Sequence, residues 1–142
     1  MTGFWVTIGI SAYSIAIIVG SFAALRMVWN KIARIYPAQP VEEEAISRSY
    51  QSCSIGYFNL GWSVGITVDS SHLHLAPNLF LLCASRTSMS IPWETITLEK
   101  HSLFKRYKVF RTADFKWKFQ APAWALELAE VEKPSEETDA GN

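Results

Sequence analysis

The first 25 residues, "MTGFWVTIGISAYSIAIIVGSFAAL", carry no charge, and the first charged side chain is Arg26. About 20 apolar residues in a helix cross the roughly 30 Å hydrocarbon core of a bilayer. No proline interrupts the run, and its Ser and Thr hydroxyls can bond back to helix carbonyls. Two other structures accept apolar runs. A secretory signal wants basic residues ahead of a short apolar core, and none precede this long one, although Ser21-Phe22-Ala23 is acceptable as a cleavage site. A helix apolar on all sides is unusual in the core of a 142-residue protein. The pattern therefore predicts a membrane span over about residues 4–25.

The flanks give an expected orientation. Arg26, Lys31 and Arg34 follow the run, and positive residues stay on the cytoplasmic side. The expectation is a single-pass membrane protein with the N-terminus outside and the remaining chain in the cytoplasm. Trp5 and Trp29 lie about 36 Å apart along a helix and are expected, with Arg26, Lys31 and Arg34, to mark the two interfaces. Helical periodicity continues through "RMVWNKIARIY". Val28, Trp29, Ile32, Ile35 and Tyr36 share a face, which implies an amphipathic extension lying at the headgroups or against the next domain. Within the span, Ala12, Ala16, Gly20 and Ala24 recur every four residues, a spacing that lets helices approach closely in lipid. It points to a partner helix or a second copy, but the same spacing arises by chance where alanine and glycine are common.

Overall charge is zero and selects no partner, but the segments are unequal. Residues 37–45, with Pro37, Pro40 and Glu42 to Glu44, read as a solvated linker. From about residue 46 the period becomes twofold. "IGYFNLG", "WSVGITVD", "HLHLAP", "LFLLCAS", "MSIPWETITLEK", "FKRYKVFR" and "FKWKFQ" give about seven short strands, as in a β-sandwich or barrel. "APAWALELAEVE" then reads as a capping helix, with Trp124, Leu128 and Val131 on one side. Residues 133–142 read as an acidic disordered tail. Cys53 and Cys83 lie in apolar sequence and are expected to be reduced, structural thiols.

Seven short strands closed by one helix resemble the pleckstrin-homology-like superfold. Ile91-Pro92-Trp93 leading to Ile96 resembles a strand of small bacterial single-span membrane proteins and of bacterial PH-like domains. The resemblance spans roughly 46–132 and implies a module that binds lipid headgroups or proteins. No functional residue transfers with it.

The stretch 101–120 holds six bases and one acid. Pairing "FKRYKVFR" with "FKWKFQ" as a hairpin places Phe115, Trp117 and Phe119 inward with Tyr107 and Val109. Arg106, Lys108, Lys116 and Lys118 are then expected as one outward basic cluster, either solvated or facing anionic lipid or a partner. Nucleic acid is not expected, because the basic area is small and no recognition motif is present. His72 and His74 are expected on the polar face of a half-exposed strand, and Asp69-Ser70-Ser71 as the turn before it. No catalytic residue, metal site or cofactor is expected. The functional expectation is a non-enzymatic domain for protein or anionic-lipid interaction at the bilayer. The alternative is an accessory subunit or assembly factor of a membrane complex, acting through its span.

Overall fold

A computed structural model describes residues 2–78, 85–99 and 106–127, with side chains from residue 8 onward within those ranges. One helix, α1 (Thr2–Ile35), runs from the start of the chain into the β-rich part. Its stretch Ile8–Ile35 is long and apolar enough to cross a membrane, and its apolar window has nothing packed over it. That exposure separates α1 from a core helix. The last two turns differ: Trp29, Ile32, Ala33 and Tyr36, spaced three, one and three apart, are all buried. This is the stripe a helix lays against a core. Pro37 follows directly and lacks the donor to continue the helix.

Nine strands among the described residues form two antiparallel sheets. The first sheet contains β1 (Ile46–Gln51), β4 (Val64–Val68), β5 (His72–Pro77) and β6 (Met89–Pro92), in that spatial order. The second is ordered β3 (Phe58–Asn59), β2 (Ser54–Ile55), β9 (Phe115–Pro122), β8 (Tyr107–Thr112) and β7 (Ile96–Leu98). The segment 46–55 serves both sheets: β1 pairs with β4, and β2 pairs with β9. The change of sheet follows a register shift between Arg48 and Gln51, where Tyr50 takes a φ of 56°. "IGYFNLG" is thus a tight β2–β3 hairpin turning at Gly56, not a single strand.

The core lies between the sheets. Ile66, Leu73, Leu75, Met89 and Ile91 of the first face Ile55, Ile96, Phe110 and Phe119 of the second. Phe110 and Phe119 stack with centroids 5.0 Å apart. The end of α1 belongs to this same core, so the boundary expected at residue 37 divides a single packed unit. Trp29 is fully buried, and its Nε1–H donates to the Thr87 carbonyl at 2.7 Å. It is a domain residue, not an interfacial ring. Tyr36 reaches the second sheet, its hydroxyl 3.3 Å from Asp114 Oδ2.

Residues 37–45 are exposed but not a free spacer. Pro37 bridges to Met89, the Gln39 amide donates to Ser90 Oγ at 2.8 Å, and Glu42 accepts from the Ser70 and Ser71 hydroxyls at 2.7 and 2.9 Å. After β9, one 3-10 turn (Ala123–Leu126) buries Ala125 and Leu126. Most of the expected strand 79–85, Cys83, the helix beyond Glu127 and the tail 133–142 lie outside the described residues.

Candidate functional site: the rim beside the apolar helix and a buried histidine network

Height along α1 transfers to the sheets through hydrogen bonds. Trp29 meets Thr87 and, two turns later, the Ser90 amide donates to the Tyr36 carbonyl. Seven helical residues rise about 10 Å, as do three strand residues. The end of α1 and β6 therefore run side by side in the same direction. The end of the first sheet level with Thr87 holds Val64 and its partner Pro77, with Trp62 and Ser63 just beyond. This is the rim nearest the apolar part of α1. The opposite end holds Asp69, Ser70 and Ser71, with Glu42.

A crevice of about 480 Å³ opens where α1 leaves the domain. Met27, Val28 and Lys31 of α1 form one wall, and Phe115, Lys116 and Trp117 of β9 the other, with Asp114 at its edge. Met27 is 74 % exposed. Trp62 and Tyr57, at 77 % and 99 %, are exposed rings outside the span. Tyr57 follows Gly56, whose backbone presses on the Trp117 ring, so it sits beside the crevice wall. Arg26, Lys31 and Arg86 are exposed on the same side.

The four-residue basic cluster is not formed as expected. Phe110 pairs with Phe119, and Lys108 with Ala121; antiparallel partners share a face. Lys108 therefore lies on the inner face with Phe110, while Tyr107 and Val109 lie on the outer face. The register follows Phe110, the largest apolar side chain of the strand, over Val109. Arg111 takes the outer position. Arg111 Nε and Lys118 Nζ both donate to Glu99, at 2.7 and 2.8 Å. Those two donors hold the Glu99 carboxyl below the ordinary glutamate range. The outer face thus carries a clamp in which one carboxylate offsets one of its two cations, and Lys116 stands apart at the crevice mouth. Arg106 is exposed at the start of β8 and lines a second cleft of about 540 Å³ with Cys53 and Tyr107. Burial pushes the Cys53 thiol up to about 12, so this larger cleft offers no thiolate.

Ala12, Ala16 and Gly20 are exposed along α1, and Ala24 is half-buried. A Cβ on Gly20 would meet nothing within 4 Å. The Trp5 side chain lies outside the described residues.

His74 departs furthest from expectation. It is buried, because β5 is a central strand and the chain around Gln39 crosses the far side of the sheet. Its Nε2 lies 2.7 Å from Asp69 Oδ2 and its Nδ1 lies 2.8 Å from Ser90 Oγ. Asp69 Oδ1 accepts from the Ser71 and His72 amides at 2.9 and 2.6 Å. Burial pushes the Asp69 carboxyl up, but these three hydrogen bonds outweigh it and leave the group below the ordinary aspartate value. The Asp–His–Ser order matches a nucleophile relay, yet Ser90 is 3 % exposed and its oxygen is capped by the Gln39 amide. A substrate carbonyl has no approach to it. The relay was hidden in sequence because Asp69 and Ser90 lie on either side of His74 by 5 and 16 residues. No protein-family model matches this chain, and no curated protein matches its sequence.

Proposed function

We propose that this is a single-pass membrane protein whose β domain is held against the cytoplasmic leaflet and works there by binding, without catalysis. The observation that carries the reading is α1: one helix supplies both the exposed apolar stretch and, with Tyr36 directly after it, four buried residues of the β-domain core. The domain therefore cannot swing away from the bilayer on a loose tether. Its near rim presents Lys31, Lys116 and Arg86 among Met27, Tyr57 and Trp62. Cations near an anionic surface contribute about 1 kcal/mol each, and amphipathic rings favour the headgroup zone. The strand order supports a PH-like fold: the bent segment 46–55 opens both sheets, and β4 to β6 and then β7 to β9 follow as one meander in each. The basic flank of α1 supports the inward orientation, and the resemblance of Ile91-Pro92-Trp93 to bacterial single-span proteins supports a bacterial inner or plasma membrane.

The test uses the full chain in vesicles with and without anionic lipid. A fluorophore on Lys116→Cys, at the near rim, is compared with one on Ser70→Cys, at the far end. The rim label becomes shielded from an aqueous quencher in anionic vesicles and is released by salt, while the far label stays accessible. Equal quenching of both labels in both vesicles overturns the reading. The exposed stripe Ala12, Ala16 and Gly20 favours a second reading, a subunit that acts through helix pairing in the membrane. Loss of crosslinking in Gly20→Leu would support it.

A further inference from the structure

We propose that Asp69, His72 and His74 form a site for a divalent transition-metal ion of the zinc class at the membrane-distal end of the β4–β5 hairpin. The inference is independent of how the domain meets lipid. His72 and His74 are two apart on β5, so their rings project on the same side of the sheet, with centroids 5.7 Å apart. The two-residue turn Ser70-Ser71 folds Asp69 back beside them. One ligand atom from each of the three residues lies within 4.8 Å of the others.

The donor set suits the ion: two imidazoles and a carboxylate are ligands of three-residue zinc sites, with the fourth position left to water. Around zinc at about 2.0–2.1 Å, tetrahedral ligands sit about 3.3 Å from one another. The Asp69–His74 pair must open by roughly 0.6 Å from its 2.7 Å contact. His72 is half-buried and closes the remaining distance by side-chain rotation.

The surrounding bonds fix the ligands as outer partners do in metal sites. The Ser71 and His72 amides occupy Asp69 Oδ1 and leave Oδ2 for the ion. Ser90 Oγ, itself held by the Gln39 amide, orients the His74 ring through Nδ1. With an ion on Nε2, the ring proton sits on Nδ1 and faces the serine oxygen. His72 is the separate observation that asks for a ligand. Its ring nitrogens have no hydrogen-bond partner among the described residues, although the ring is half-buried against His74. Glu42, close enough to repel Asp69, adds a second negative charge beside the site.

The test is titration of the full chain, purified in detergent without a histidine tag, with Co²⁺ and then Zn²⁺. Visible d–d absorption of tetrahedral cobalt at one equivalent, displaced by zinc, is the expected result. His72→Ala should weaken binding at least about tenfold and leave the metal-free melting temperature nearly unchanged, since that ring holds no hydrogen bond among the described residues. His74→Ala should also lose the signal, but it breaks the buried network, so His72→Ala is the deciding variant. His101→Ala should bind as the unsubstituted chain does. No cobalt spectrum, unchanged binding in His72→Ala, or loss of binding in His101→Ala would each overturn the site.

Discussion

Three residues carry conformational or ionic demands that a substitution would expose. Gly56 turns the β2–β3 hairpin at φ 58°, and a Cβ there would meet Trp117 Cε3 at 2.8 Å. Gly56→Ala combines a left-handed backbone with a clash against a ring packed on Phe58 and Phe115. It should cost about 2 kcal/mol, read as a lowered denaturation midpoint of the full chain in detergent. Tyr50 is the opposite case: its side chain is 58 % exposed and its φ of 56° suits glycine. Tyr50→Gly should be neutral or stabilising by up to about 1 kcal/mol in the same assay. Asp69 governs the acid limit. Its folded pKa is lower than its unfolded value near 3.8. The stability it contributes is therefore complete above the unfolded value and disappears as pH falls through the folded one. Melting temperature should drop below about pH 4. Asp69→Asn should be weaker at pH 7 by about 1–3 kcal/mol and show a flatter acid limb. An equally steep limb in that variant would assign the acid sensitivity elsewhere.

Among the elements, α1 and the main strands are visible in sequence because their signals are local. Absence of charge marks the long apolar helix, and twofold alternation marks Phe115, Trp117 and Phe119 of β9, whose lysines do point outward. What sequence missed depends on partners distant in the chain. β1 is exposed along nearly its whole length, so it shows no alternation and exists because β4 pairs with it. The face of β8 is ambiguous in sequence because Val109 and Phe110 are adjacent apolar residues. Only pairing with Phe119 decides which one turns inward. His74 looked like an alternating polar residue because nothing local reveals that Gln39 and Ser90 cover its side of the sheet. At this scale Trp29 is the test. Trp29→Ala removes a fully buried ring and orphans the Thr87 carbonyl. It should cost about 3–5 kcal/mol, whereas Trp29→Phe, losing mainly the hydrogen bond, should cost about 1–2 kcal/mol. If Trp29→Ala melts with the unsubstituted protein, the helix is not part of the core.

For the whole molecule, the consequence is that the long apolar helix and the β fold do not separate where the prolines suggest. A fragment beginning at residue 41 keeps every described strand but lacks Trp29, Ile32, Ala33 and Tyr36, four of the core's buried side chains. It also lacks the Gln39 amide that holds Ser90. Each large apolar side chain withdrawn from a core costs several kcal/mol, and a domain of this size has only about 5–15 kcal/mol in total. Residues 41–142 should therefore be unfolded or aggregated when expressed alone. A fragment beginning at Arg26 keeps the buried stripe and sheds most of the exposed apolar helix, so it should melt cooperatively in water. Near-ultraviolet circular dichroism distinguishes the two, because the Phe110–Phe119 stack and buried Trp93 report tertiary packing. A cooperative transition in 41–142 equal to that of 26–142 would mean that α1 merely adjoins the domain. The same rigidity bears on the bilayer: with the core fixed to the helix, inserting two alanines between Met27 and Val28 turns the domain by about 200° and lifts it about 3 Å. Lys116 should then lose its shielding by anionic vesicles while the domain itself stays folded.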